Sequence, residues 1–252
     1  MKPTVTDQAL HHPVKDAFGY YLGRFHGDFC IADTAATAEW LDKPFSSAAK
    51  TVPERMQDDV QAMLDKYRQN KNEVGAKDNS ATLPIMLVAF GKSYTPILGD
   101  FSRQMATAKF VKLDNDHKGR IFKLRVMQGS LRVQVVIIAH ESLAVKSIMS
   151  QLCLYVADIA NRRFYADYKL AGHNESWPVV IADTDIIPQD WQTDIKNTSA
   201  SYVDFDLKLS IPLLITPKAG QPNDGLGTDG DKDDPHGFKM TSTIGFSSTG
   251  VV

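Results

Sequence analysis

The sequence predicts an α+β protein: a mixed or antiparallel β-sheet flanked by an amphipathic helix, behind a helical, aromatic N-terminal segment and ahead of a flexible C-terminal tail. Three observations predict it. Apolar residues alternate at period two over residues 164–170 and 202–211. The period switches to about three and a half after His140-Glu141-Ser142. Apolar residues almost vanish over residues 218–237. Alternation buries one face of a strand, the longer period buries one stripe of a helix, and a segment without either cannot offset its ordering entropy. The chain therefore divides into an N-terminal arm and helix (1–80), a core domain (81–217), and an acidic, glycine-rich linker with its tail (218–252).

The N-terminal segment carries Phe18, Tyr20, Tyr21, Leu22, Phe25 and Phe29, interrupted by Gly19, Gly23 and Gly27. So many aromatics predict a short helix or irregular arm that packs on something, either the main sheet or a neighbouring subunit. Over residues 51–74, Thr51 suits a cap and Pro53 and Glu54 a first turn. Val60, Met63, Leu64 and Tyr67 then recur at helical spacing, Gly75 ends the helix, and residues 77–81 form a polar linker.

Residues 83–90 are almost wholly apolar and predict a strand buried on both faces, with Pro84 at its start where a missing N–H costs least. A loop over 91–103 contains Pro96 and Gly99. Residues 114–119 are a turn by composition. Residues 121–126 and 131–139 follow as strands around Gln128-Gly129-Ser130, which makes either a hairpin or one long bulged strand. The helix from Ser142 to about Asn161 carries Ile148, Leu152, Tyr155, Val156 and Ile159 as its apolar stripe. Strands at 164–170 and 177–181 come next, then a polar loop over 188–199 with a short helical turn around Trp191. The last strand puts Val203, Phe205, Leu207, Leu209 and Ile211 on one face; Pro212 weakens it, and 213–215 extend it past a bulge at a sheet edge.

Lys and Arg number 28 against 30 Asp and Glu. With no global basic excess to release counterions, the composition does not point to a dedicated DNA-binding protein. No apolar run approaches the roughly 20 residues of a membrane span, and residues 1–10 lack the pattern of a signal peptide. The expectation is a soluble protein made in a reducing cytoplasm. Cys30 and Cys153 lie far apart, and Cys153 falls in the apolar helix as a small buried hydrophobe.

Chemistry is sparsely encoded. Asp229, Asp231 and Asp233 resemble the start of a calcium loop, but Asp234 stands where the glycine belongs and Met240 where the glutamate belongs. His11, His12, His26 and His173 have no partner at zinc-ligand spacing. Gly91-Lys92-Ser93 lacks the earlier glycine of a phosphate-binding loop. Asp114, Asp116 and His117 are the one acid/base group, and a turn explains their composition equally well.

The order of these features is similar to that of a known family. Phe18-Gly19-Tyr20-Tyr21 is followed by Gly27-Asp28-Phe29, and Val52-Pro53 enters a helix. Leu83-Pro84 opens a buried strand, with Tyr94 and Pro96 after it. A strand pair then runs into the helix from Ser142, and residues 177–183 precede the strand over 202–215. Over roughly residues 17–217 this resembles the tail terminators, or sheath-stabilising tail-completion proteins, of contractile-tailed bacteriophages.

The resemblance implies a structural virion protein and no enzyme: a ring, a homohexamer, at the head-proximal end of the tail. It would bind itself, the tail tube and tail sheath subunits, and the neck or head-completion proteins. DNA would meet it only as genome passing through the lumen, without a membrane and without a cofactor or metal. Assembly would take place in the host cytoplasm, before incorporation into the virion. Partner contacts are expected at Phe18, Tyr20, Tyr21, Phe25, Phe29, Phe238 and Phe246. Lys123, Arg125 and Arg132 could face the lumen, or else form the solvent face of a half-covered sheet. The alternatives are another neck or head–tail connector component, a tail tube protein, or a small hydrolytic enzyme using Asp114, Asp116 and His117.

Overall fold

The computed structural model describes residues 12–29, 31–52, 83–91, 95–96, 109–112, 119–170, 173–183, 186–192 and 197–218. The predicted helix beyond Val52, the linker over 77–81, residues 114–118 and the tail beyond Lys218 lie outside them. The described elements are helices α1 (His12–Gly27), α2 (Ala35–Asp42), α3 (Phe45–Ala48) and α4 (Ser142–Ala157), and nine strands. The strands are β1 (Ala49–Thr51), β2 (Ile85–Phe90), β3 (Thr95–Pro96), β4 (Lys109–Lys112), β5 (Ile121–Ala139), β6 (Arg163–Leu170), β7 (His173–Ile181), β8 (Gln189–Gln192) and β9 (Ser199–Ile215). The class is α+β. The sheet is mixed, because β1 pairs parallel with β2 while β2 pairs antiparallel with β5.

The described residues fall into two compact units, those within 1–97, 129–167 and 176–210 in the first and those within 98–128, 168–175 and 211–252 in the second. The strand order is β1-β2-β5-β9-β7-β6, with β3 and β4 pairing to β5 and β8 pairing to β9.

In the first unit α1 fills the concave side of the sheet. Val14, Ala17, Phe18, Tyr21, Leu22 and Phe25 recur at helical spacing and are all buried. The Phe18 ring lies 5.8 Å from Phe90 on β2, 5.7 Å from Phe205 on β9 and 6.0 Å from Phe164 on β6. In a flat sheet with strands ~4.8 Å apart, β2 and β6 would stand roughly 19 Å from each other. One ring touches both, so the sheet curls around α1.

Helix α2 is set by a reciprocal cap: Thr34 Oγ1 accepts from the Thr37 N–H at 3.0 Å, and the Thr34 N–H donates to Thr37 Oγ1 at 2.9 Å. That start places Trp40 in the core, where its indole N–H donates to the Ala48 carbonyl at 3.1 Å. Strand β2 is buried at all six positions, as its unbroken apolar run predicts. One of its faces joins Val52, Val136, Ile138 and Ala200 in a cluster against which Leu83, Trp191 and Tyr202 pack.

Several expectations are corrected. Gln128-Gly129-Ser130 does not turn: β5 is one strand of 19 residues, the second of the two arrangements open to the sequence. Its middle is held by β3, with Thr95 opposite Ser130 and Pro96 opposite Gly129. Trp191 lies in β8 rather than a helical turn, opposite Ala200 of β9. Strand β9 stands between β5 and β7 rather than at an edge, and it continues through Pro212 to Ile215. Helix α4 ends at Ala157, so Ile159 leaves the apolar stripe and is exposed in a 3-10 turn.

In the second unit β4 pairs with the start of β5, from Lys109 opposite Leu124 to Lys112 opposite Ile121. The hairpin brackets the predicted turn. Gly119, at φ +61°, occupies the left-handed conformation that favours glycine there.

Candidate interaction surfaces

Helix α1 divides the predicted contact residues. Phe18, Tyr21 and Phe25 are turned inward and are buried in the chain's own core. Phe29 is half-buried, its ring 5.4 Å from Trp40. Tyr20 alone faces outward, at 80% exposure. Helical geometry explains the split: with a turn every 3.6 residues, positions 18, 21, 22 and 25 share a face and position 20 points away from it. Phe238 and Phe246, like Asp114, Asp116 and His117, lie outside the described residues.

Tyr20 stands over a groove of about 1030 Å³ between the outer face of α1 and strand β6, lined among others by Ala17, Gly19, Gly23, Arg163, Tyr165 and Asp167. Among the described residues β6 ends the sheet order, and its side chains alternate strictly. Phe164 and Ala166 are buried, while Arg163, Tyr165 and Asp167 are exposed. The floor is low: a Cβ added at Gly19 would meet nothing within 4 Å. Tyr21 also lines the groove, and its buried hydroxyl has no hydrogen-bond partner among the described residues. Burial raises its pKa well above the ordinary value of 10.0, helped by Tyr155 and opposed by Arg24 and Arg162.

A second surface runs along α4. Its inward residues, Ala144, Val145, Ile148, Met149, Leu152 and Val156, are buried, yet Leu143 and Leu154 are left outward at 60% and 71% exposure. Beside them Ile31 and Ile159 are exposed at 62% and 84%. A groove of about 720 Å³ lies between this helix face and residues 28–33. Gln151 fixes its wall: the side-chain carbonyl accepts from the Ile31 N–H at 3.2 Å, and the side-chain amide donates to the Ile31 carbonyl at 2.8 Å. The segment is thus held as a strand neighbour would hold it, with the Ile31 side chain facing out. Burial also raises the pKa of Tyr155 at this groove, and that of the Cys153 thiol on the same helix, which keeps the thiol protonated.

The predicted cationic residues separate. Lys123 is half-buried and Arg125 exposed, both in the second unit. Arg132 belongs to the first unit, where its guanidinium meets the Asp204 carboxylate at 2.9 Å. His26 serves the fold, with Nε2 donating to the Trp40 carbonyl at 3.1 Å. Among the described residues no three His, Cys, Asp or Glu side chains converge as metal ligands, and no helix is long and apolar enough to cross a membrane.

The outward residues of α4 escape a reading by periodicity, which keeps the buried stripe and discards what falls off it. The available signal was Leu143 and Leu154 themselves, large apolar residues at off-stripe positions. Compared with known protein families and with curated proteins, the chain matches none.

Proposed function

We propose that the chain is a structural virion protein, a tail terminator that forms a ring at the head-proximal end of a contractile phage tail, caps tube and sheath, and joins them to the neck. The observation that carries this reading is the order of sequence features shared with such proteins: the aromatic start on α1, the Leu83-Pro84 opening of β2, the helix after β5, and the alternating final strand. The surfaces of the first unit support it. A ring needs two different faces on each subunit, one to give and one to receive. The groove at β6 and the apolar row on α4 are two such faces, and exposed apolar groups that cluster are characteristic of association sites.

In this reading the protein acts by binding, carries no cofactor, and turns over no substrate. Its partners are further copies of itself, tube and sheath subunits, and a neck protein. Mixing the purified chain with isolated contractile tails and imaging them by electron microscopy tests it. Decoration of one tail end only is expected, and tails left bare at both ends would refute the assignment.

A further inference from the structure

We propose that the groove between α1 and β6 receives residues 238–246 of a second copy of this chain, added to the sheet as a strand beside β6. The inference rests on the self-association proposed above and names its contact. Among the described residues strand β6 ends the sheet order, and an added strand is the direct way to satisfy the main-chain groups of such an edge. Residues 238–246 place Phe238, Met240, Ile244 and Phe246 at even positions, interrupted by Ser242, so that in an extended segment four of five side chains on one face would be apolar. The groove suits that face. Gly19 leaves its floor open to large side chains, Tyr20 and Tyr165 stand exposed at its sides, and the buried Tyr21 hydroxyl is a donor in want of an acceptor.

Charge and reach agree. The linker before the segment holds Asp224, Asp229, Asp231, Asp233 and Asp234, while the rim of the groove carries Lys15, Arg24 and Arg163 against Asp16 and Asp167. Fully extended, the linker after Lys218 spans roughly 60 Å, enough to pass between adjacent subunits. Donor strand and receiving edge are different parts of one chain, so the contact is head-to-tail and can close into a ring.

The test is amide hydrogen exchange on the full chain, with the mass of the assembly measured on the same sample. In the Ile244→Asp/Phe246→Asp variant, residues 163–167 are expected to exchange at least about tenfold faster than in the wild type, with residues 203–209 of β9 unchanged as the control for folding. Equal exchange in the two proteins would overturn the inference, and if the wild type still forms a ring, the ring reading survives that failure. A second arm mixes a Tyr165→Cys chain with a Phe246→Cys chain under mild oxidation. A covalent pair containing one of each is expected, and its absence would overturn the proposal as well.

Discussion

Helices α1 and α4 have the same length, 16 residues, and opposite distributions of apolar surface. Helix α1 turns most of its large side chains inward, where Phe18 alone touches aromatic rings from three strands, and it leaves Gly19 and Gly27 facing open space. Helix α4 buries a stripe of mostly aliphatic side chains and still presents Leu143 and Leu154 to the outside. The first helix is therefore built to hold the sheet curled. The second has apolar surface left over for something else. Stability and association should respond separately to changes in the two.

The largest effect is expected at Phe18. Phe18→Ala removes the ring around which β2, β6 and β9 close, and it should cost about 3–5 kcal/mol of unfolding free energy in a urea titration. A cost below 1 kcal/mol would mean that α1 is not the organising helix.

Alkaline pH probes the same core through Tyr21. Its pKa is raised in the folded chain, mainly by burial, so between the ordinary value of 10.0 and the folded value the native state holds the proton more tightly than the unfolded state. Stability should be unaffected by this group below pH 10 and should fall as pH rises above it. The Tyr21→Phe variant should lose less over that window, which thermal melts across the range would reveal. Identical pH profiles for the two proteins would show that the hydroxyl is not desolvated.

A smaller effect is expected where the two helices' surroundings meet. Gln151→Ala removes both hydrogen bonds to Ile31 and should cost about 1 kcal/mol, with faster amide exchange confined to residues 28–33. Exchange that spread along α4 would contradict the description of Gln151 as a local clamp. The smallest effect on stability belongs to Leu143→Asp/Leu154→Asp. Both side chains are mostly exposed, so unfolding should shift by no more than about 0.5 kcal/mol. Self-association measured by sedimentation should nevertheless weaken, and an unchanged sedimentation profile would remove the α4 face from the assembly surface.

Elements with a strong internal period were legible in the sequence. Strand β9 was readable because Val203, Phe205, Leu207, Leu209 and Ile211 alternate without interruption, and β2 because its run of six apolar residues admits no solvent face. Helix α4 was readable from its start, where the period changes. What escaped was set by partners distant in sequence. Gly129 and Ser130 read as a turn until Thr95 and Pro96 pair with them, and β8 is a strand because Ser199–Tyr202 lies alongside it. The short α2 was hidden because its cap depends on two threonines rather than the usual Glu or Gln at the third position.

The aromatic residues of α1 were visible as a group, but composition could not divide them. Only the helical phase sends Phe18, Tyr21 and Phe25 into the core and leaves Tyr20 outside. The groove at β6 was illegible for a different reason. It exists because a sheet curls, and the curl is fixed by long-range contacts of one ring with three strands.

Native mass spectrometry of the purified chain at micromolar concentration tests the central claim most directly. A closed assembly of six copies, with monomer as the minor species, is the result expected of a terminator. A strict monomer at every concentration, with or without isolated tails, would contradict it.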